Sequence, residues 1–91
     1  MLDVDSTYQL YKNGIVIDSE IEDGVVVVEV AKNTPAETAN LQKGDVILAI
    51  NNTDVKNIAY FRAELYKYSV GDTITLKVYR DKNIKEIKVK L

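Results

Sequence analysis

The sequence predicts an α+β fold, a partly open β-barrel or sandwich of about five strands, capped by one long helix and one or two short helices. Segments 24–31 and 45–50 are continuous apolar runs rich in β-branched residues, which is typical of strands buried on both faces. Segment 58–68 repeats apolar residues at helical spacing, and segment 73–91 alternates apolar and polar residues around a turn. These two patterns predict the long helix and a final β-hairpin.

Composition limits both the size of the protein and its chemistry. Its 91 residues suit one domain with a modest core, and its net charge of −2 gives no electrostatic basis for binding nucleic acid. The sequence has no Cys and no His, which removes Ser-His-Asp and Cys-His catalysis, thiol redox chemistry and the common zinc sites. No pair of carboxylates has a spacing that indicates acid–base catalysis. We therefore expect a non-catalytic domain without a cofactor or a metal.

The N-terminal part predicts the end of a strand and then a short helix. Residues 1–5 alternate apolar and acidic side chains, as a strand does. Ser6 is a candidate N-cap for a helix over 7–13, and Gly14 is its predicted stop. A short apolar segment, 15–17, follows this helix.

The next segment, 18–23, is acidic and predicts a loop. It holds four carboxylates within six positions, which admits two interpretations: a calcium site or a solvated loop. The spacing is not that of an EF-hand, because the required Gly and the distal Glu are not in place. We favour the solvated loop.

The two central strands are joined by a predicted short helix. It starts at Thr34 and Pro35, a hydroxyl at the N-cap and a proline at the first helical position. Asn40 follows the helix and tolerates left-handed backbone there. Gly44 and Asp45 then turn the chain into the second strand, so we interpret Asp45 as a turn or capping residue and not as a general base.

The long helix has a clear start and a clear apolar face. Segment 52–54 is a turn signal, and Asn57 is a predicted N-cap for a helix over 58–68. The apolar residues that recur at helical spacing in it are Ile58, Phe61, Leu65 and Tyr68.

The C-terminal hairpin is predicted by alternation. Segment 73–79 and segment 84–91 flank a turn at 80–83, and in the second strand apolar and charged residues alternate. The charged residues there should protect a sheet edge or cover a solvent-exposed face. The residues expected on the core side are Ile87, Val89 and Leu91, and those expected on the outer side are Glu86, Lys88 and Lys90.

A long spaced motif runs through the central segment. It reads G-V-x-V-x-x-V and then T-P-A-x-x-A-x-L-x-x-G-D-x-I-x-x-I-N. This string resembles the PDZ domains of bacterial proteases, above all the HtrA/Deg family of extracytoplasmic serine proteases. Asn40 stands where that family usually has Gly, and both residues accept positive φ. The matching residues are Gly24, Val25, Val27, Val30, Thr34, Pro35, Ala36, Ala39, Leu41, Gly44, Asp45, Ile47, Ile50 and Asn51.

Segment 65–81 extends the resemblance over nearly the whole chain, because it is similar to the helix and last hairpin of an HtrA-type PDZ domain. The resemblance implies a PDZ-like fold of the circularly permuted bacterial type, in which the first strand and the long helix flank a peptide-binding groove. A peptide would pair with the strand edge through main-chain hydrogen bonds and place alternate side chains against the helix. The implied groove residues are Met1, Leu2, Asp3 and Val4 on the strand and Ile58, Arg62, Leu65 and Tyr66 on the helix.

Two of the helix residues have a second interpretation. Ile58 and Leu65 are equally well explained as core residues, since the groove floor and the core merge in a thin domain. For Phe61 we favour the core. Arg62 is expected at the groove rim or in solvent, where pairing with an acidic peptide side chain would contribute little.

In this family a loop just before the first strand binds the terminal carboxylate of the peptide through backbone N–H groups. No residues precede Met1 to supply it, so residues 1–91 are expected to be a single PDZ domain, an excised fragment that lacks this loop. The resemblance implies as partners polypeptide C-termini or unfolded protein segments and the parent protease domain, with no nucleic acid and no small-molecule cofactor. It also implies an extracytoplasmic location and a parent that is a serine endopeptidase.

Two alternatives stay open at this point. The domain could belong to another protease class, a membrane-embedded metalloprotease or a C-terminal processing peptidase, which an HExxH motif or a Ser-Lys pair elsewhere in the parent would reveal. It could also be a structural interaction module that binds no peptide, which an apolar surface without an open groove would favour.

Overall fold

The core of the fold is an open antiparallel sheet, in the computed structural model that describes residues 1–17 and 20–91. The elements are β1 Leu2–Asp3, α1 Thr7–Lys12, β2 Val25–Val26, α2 Pro35–Thr38, β3 Val46–Ile50, β4 Thr53–Asp54, α3 Ile58–Leu65, β5 Thr73–Arg80 and β6 Asn83–Lys90. The strand order is β1-β2-β3-β5-β6, with β4 paired to β3, so β1 and β6 occupy the two ends of the sheet. The predicted α+β class is confirmed, and the sheet is open, with no closure into a barrel among the described strands.

Each face of the sheet carries its own apolar cluster. We name them the α3-side cluster and the α1-side cluster after the helix that contributes to each. Val25 and Val27 lie in the α3-side cluster and Val26 lies in the α1-side cluster, so β2 is buried on both faces, as predicted. The buried α3-side residues are Val25, Val27, Leu41, Ile47, Ile50, Val55, Phe61, Ile74, Leu76, Val78 and Val89, and the buried α1-side residues are Val4, Leu10, Ile15, Val26 and Val46.

The strand predicted over 24–31 is much shorter than expected, and the prediction is wrong beyond its first residues. Val27 still exchanges hydrogen bonds with the turn before β3, donating to the Asp45 carbonyl at 2.8 Å and accepting from the Gly44 N–H at 2.7 Å. The neighbouring chain turns away at Gly44, which leaves the residues after Val27 without a pairing partner in β3. A continuous apolar run indicates that a segment is buried, but a β-strand also needs a neighbouring strand with which its backbone can pair.

The predicted helix ends are confirmed for α2 and partly confirmed for α1. The Thr34 hydroxyl accepts a hydrogen bond from the Glu37 N–H, Pro35 is the first helical residue, and Asn40 has φ +64°. Before α1, the Ser6 side chain makes no capping hydrogen bond. Helix α1 ends at Lys12, one residue earlier than predicted, and Gly14 has φ +73°. Asp18 and Ser19 of the predicted acidic loop lie outside the described residues.

Helix α3 starts where predicted and ends three residues early. The Asn57 side chain accepts from the Tyr60 N–H, which confirms the N-cap. After Leu65 the bonding changes to the tighter i to i+3 pattern, with the Tyr68 N–H donating to the Leu65 carbonyl at 3.1 Å. Tyr68 nevertheless packs against the α3-side cluster, so the predicted apolar face extends beyond the helix itself.

Both tight turns of the sheet place two residues at positive φ. Asn51 and Asn52 (φ +47° and +70°) connect β3 to β4, and Asp81 and Lys82 (φ +52° and +63°) connect β5 to β6. These are the dihedral signs of type I′ hairpins, whose twist suits two-residue connections. The first turn therefore lies one residue earlier than the predicted segment 52–54, because Thr53–Asp54 is a strand.

Strand β6 shows the predicted alternation and lies at a sheet edge. Val89 is buried, and Ile87 and Leu91 pack beside it against the α3-side cluster. Lys88 and Lys90 are exposed, as expected of charged residues at an edge. Among the described helices, none combines the length and the apolar character needed to cross a membrane.

Candidate functional site

Strand β1 presents its outer edge to solvent because it is the last strand of the sheet. It pairs antiparallel with β2, Leu2 opposite Val26 and Asp3 opposite Val25, and the Val4 N–H donates to the Gly24 carbonyl at 3.3 Å. In an antiparallel pair, consecutive residues direct their backbone groups alternately toward and away from the partner. Since Val4 bonds toward β2, the backbone groups of Asp3 point to the outer edge.

The outer edge of β1 ends at Asp3. The Asp3 carbonyl accepts from the Ser6 N–H at 3.0 Å, in the turn that leads to α1. A chain added to this edge would therefore meet the outward Asp3 N–H and the residues upstream of it.

The side chains of β1 divide between the two faces of the sheet. Leu2 and Val4 pack into the α1-side cluster. Asp3 points the other way, and its Oδ1 accepts a hydrogen bond from the Ile58 N–H with an N···O distance of 2.7 Å. This contact joins residues 55 positions apart in sequence and places β1 at the N-terminus of α3.

The helix residues predicted for the groove fall into two groups. Ile58 and Leu65 are half-buried and pack against the α3-side cluster, so they contribute to the core as well as to the surface beside β1. Arg62 is exposed, and Tyr66 is 81% exposed. Phe61 is buried, which confirms its predicted core position.

Of the predicted groove residues, the structure brings Asp3 and Ile58 into direct contact. Arg62 and Leu65 follow Ile58 on the same side of α3 by helical spacing. Leu2 and Val4 point their side chains away from α3, so only their main chain is in a position to contribute to this groove. Met1 is 50% exposed at the start of β1. Peptide contact by these residues stays a prediction.

A cleft of about 250 Å³ lies where β1 meets the start of α3. Four carboxylates and one ammonium line it, which makes this end of the surface electronegative. Its lining residues are Asp3, Val4, Asp5, Glu22, Asp23, Lys56 and Asn57. Within residues 1–17 and 20–91, no group of three or more Asp, Glu, His or Cys side chains is arranged to hold a metal ion.

Asp45 is a structural acid, as its predicted role as a turn residue requires. It is 1% exposed, and its Oδ2 accepts from the Gln42 N–H at 2.9 Å. Arg80 donates to both of its oxygens, from Nη2 to Oδ2 at 2.6 Å and from Nε to Oδ1 at 2.8 Å. Hydrogen bonding to Asp45 raises the pKa of Arg80. This pair was not predicted from the sequence, in which Arg80 was assigned only to the hairpin turn.

Comparisons of the sequence with known proteins agree with the fold. The family described as "PDZ domain" matches residues 10–91. The serine protease Do-like HtrB of Bacillus subtilis (strain 168) is 39% identical over 92 residues, covering 100% of this chain and 20% of the relative. The serine protease Do-like HtrA of Lactobacillus helveticus is 32% identical over 81 residues, covering 89% of this chain and 20% of the relative. The chain thus spans about a fifth of the length of these relatives.

Solved structures show the same likeness. The PDZ domain of the SdrC-like protein from Listeria monocytogenes superposes with a TM-score of 0.69 at 28% identity, covering 78% of this chain and 74% of that one. The HtrA-type protease AlgWS227A, solved with a decapeptide, gives a TM-score of 0.67 at 25% identity, covering 71% of this chain and 20% of that one. With a family match over residues 10–91, HtrA relatives across the chain and a matching fold, this chain belongs to the PDZ domain family and is homologous to the PDZ domains of HtrA-like serine proteases.

Proposed function

We propose that this PDZ domain, a non-catalytic module, binds extended peptide segments by strand addition to the outer edge of β1, with α3 flanking the other side of the groove. The observation that carries the proposal is the position of β1. It is an edge strand, and the hydrogen bond between Asp3 and Ile58 holds it beside the start of α3. An added strand would contact both elements at once.

The chemistry of this edge fits peptides of varied sequence. Main-chain hydrogen bonds to β1 are indifferent to side-chain identity, whereas side chains packed against Ile58 and Leu65 would favour apolar residues. The likeness to the HtrA-type protease AlgWS227A supports a peptide ligand, because that protease, 20% of which this chain covers, was solved with a decapeptide. We infer that the ligands of this chain are C-termini or unfolded segments of other polypeptides.

We further infer a role in a larger protease. The relatives that match this chain are named serine proteases and are about five times longer. In such a parent the domain would tether substrate or regulate the protease domain, and the parent would be an extracytoplasmic serine endopeptidase. This proposal rests on homology alone.

One observation favours a second function. Tyr8, Tyr11 and Val16 are 69%, 75% and 90% exposed, and they lie on and just after α1, on the opposite side of the sheet from α3. Exposed apolar side chains clustered in this way are typical of surfaces that contact another protein. A structural interaction module would use this surface and leave the edge of β1 empty.

An NMR titration separates the two functions. The 91-residue chain, and a version extended upstream with the parent's own sequence, would be titrated with peptides that end in a free apolar residue. The same peptides with amidated ends serve as controls. Strand addition predicts amide shifts in β1 and along α3, and recognition of a free C-terminus further predicts that these shifts are lost on amidation. Shifts in the extended version alone would assign the carboxylate contact to the upstream loop, and no shifts in either version would refute C-terminal peptide recognition.

Matched tyrosine variants locate the ligand on α3. Tyr66→Ala removes an exposed side chain at the C-cap of α3, on the side predicted to face the groove, and Tyr60→Ala removes one from another side of α3. Weaker peptide binding by the Tyr66 variant alone supports the groove. Equal effects of the two variants would contradict it.

A further inference from the structure

We propose that Asp3 is a positioning residue that sets the separation between β1 and α3, and thereby the width of the groove. The inference deepens the proposed peptide function and rests on it for its biological meaning. The contact that carries it is the 2.7 Å hydrogen bond from the Ile58 N–H to Asp3 Oδ1.

This hydrogen bond satisfies a donor that the helix cannot satisfy itself. The first N–H groups of a helix have no acceptor within the helix. In α3 the side chain of the N-cap Asn57 accepts a hydrogen bond from the Tyr60 N–H, and the Asp3 carboxylate accepts one from the N–H of Ile58, the first helical residue. The N-terminus of α3 is therefore capped by one residue of its own loop and by one residue of β1.

The hydrogen bond between the Asp3 carboxylate and the Ile58 N–H is stronger than one between two neutral groups. A carboxylate that accepts from a backbone N–H forms a charge-assisted hydrogen bond, and the dipole of α3 favours negative charge at this end. The Asp3 side chain is half-buried, so water screens the interaction only in part.

Few other contacts join β1 to α3, because the side chains of Leu2 and Val4 pack on the opposite face, in the α1-side cluster. Strand β1 is two residues long, pairs on one side only and ends in the turn at Ser6. The second connection toward α3 runs through Gly24, whose carbonyl accepts from the Val4 N–H and whose N–H donates to the Lys56 carbonyl at 3.1 Å. That connection holds the Val4 backbone near the residue before the N-cap of α3, whereas the Asp3 side chain bonds to the first residue of the helix itself.

The width of the groove matters because a bound strand must satisfy two surfaces together. Its main chain has to reach β1 while its side chains reach α3. If β1 and α3 move apart, the peptide loses its contacts to one of them, or the two elements must come together when it binds. Either change lowers the affinity for the peptide. Preorganisation by Asp3 therefore predicts a direct link between this hydrogen bond and peptide affinity.

Three variants test the proposal. Asp3→Ala removes the acceptor, and Asp3→Asn keeps an acceptor oxygen while it removes the charge. Asp5→Ala is the matched control, because exposed Asp5 lines the same cleft and, within residues 1–17 and 20–91, has no side-chain hydrogen bond to α3. All variants would be studied at a temperature where each is fully folded.

Two measurements are made on each variant. The first is the affinity for the tightest-binding free-carboxylate peptide of the titration, measured with whichever version of the chain binds it. The second is the orientation of β1 relative to α3 in the free chain, from residual dipolar couplings, with the β5–β6 hairpin as an internal reference. We expect Asp3→Ala to bind about tenfold more weakly and to reorient β1, Asp3→Asn to restore most of both, and Asp5→Ala to match the wild type.

The outcomes separate this inference from the proposed function. Wild-type affinity and unchanged orientation in Asp3→Ala would overturn the positioning role while peptide binding stands. If the wild type binds no peptide, the proposed function fails and the orientation alone decides: a reoriented β1 supports the role of Asp3, and an unchanged β1 overturns it. Equal losses in Asp3→Ala and Asp5→Ala would also overturn it, because they would assign the effect to charge.

Discussion

Removing the Arg80 side chain should destabilise the protein strongly, because it takes away the ion-pair partner of the buried Asp45 carboxylate. Asp45 is 1% exposed in the wild type, and in Arg80→Ala its carboxylate keeps the Gln42 N–H as its hydrogen-bond donor but loses both bonds from Arg80. The variant also loses the bond from Arg80 Nη2 to the Asn40 carbonyl, 3.1 Å long. Breaking a buried ion pair by removing one partner costs roughly 3–5 kcal/mol. Because the Arg80 side chain is 16% exposed, the pair is not fully buried, so we expect a loss of unfolding free energy at the lower end of this range, about 3 kcal/mol.

Urea unfolding followed by circular dichroism measures this loss. A domain of 91 residues is expected to have a free energy of unfolding of roughly 5–14 kcal/mol, so a loss of this size moves the midpoint clearly. A change below about 0.5 kcal/mol, the range of ordinary surface substitutions, would refute the structural role of the pair.

A double-mutant cycle shows whether the loss comes from the pair itself. Asp45→Asn with Arg80→Met replaces both charges, so no carboxylate remains buried without its partner. The double variant should be less destabilised than the sum of the two single variants. Strict additivity would show that the two side chains act independently.

Two further stability predictions follow from single residues. Gly24→Ala should cost at least about 2 kcal/mol, because Gly24 has φ +141° and an added Cβ would lie 2.9 Å from Val46 Cγ1; urea unfolding checks it, and wild-type stability would contradict the strained backbone. Asn57→Ala should cost about 1 kcal/mol through loss of the α3 N-cap, with Asn57→Asp as the control that keeps a capping oxygen. Equal losses in the two Asn57 variants would show that the cap is not the cause.

Local chemistry made several elements predictable. The start of α2 follows from the hydroxyl of Thr34 and the ring of Pro35, and the start of α3 follows from the amide of Asn57. Each signal acts within three or four residues, so the sequence contains all of it. The alternation in β6 is equally local, and it placed Val89 on the core side correctly.

Features that depend on distant neighbours were not predictable in the same way. The length of β2 is set by the turn at Gly44, because β3, the strand that pairs with β2, begins only after that turn. The apolar run that starts at Gly24 does not indicate where that turn lies. The bond between Asp3 and Ile58 spans 55 positions. An acidic residue on a short strand gives no sign of which helix it caps. The resemblance implied a groove between β1 and α3, but it did not predict the contact that joins these two elements.

The Asp45–Arg80 ion pair was only partly predictable from the sequence. Gly44-Asp45 leads into one predicted strand, and Arg80 ends another. In the antiparallel register of β3 and β5, Val46 lies opposite Tyr79, which places Asp45 next to Arg80. Strand polarity and register would have brought the two charges together, but neither followed from the sequence alone.

The most direct test of the central claim is an intermolecular NOE experiment at the β1 edge, on the peptide-bound domain with the β1 amides labelled. Strand addition predicts cross-strand NOEs between β1 and the peptide backbone, together with slower hydrogen exchange of the outward Asp3 N–H. NOEs confined to the α1 surface around Tyr11 and Val16, with Asp3 exchange unchanged, would contradict the groove and assign binding to the other face.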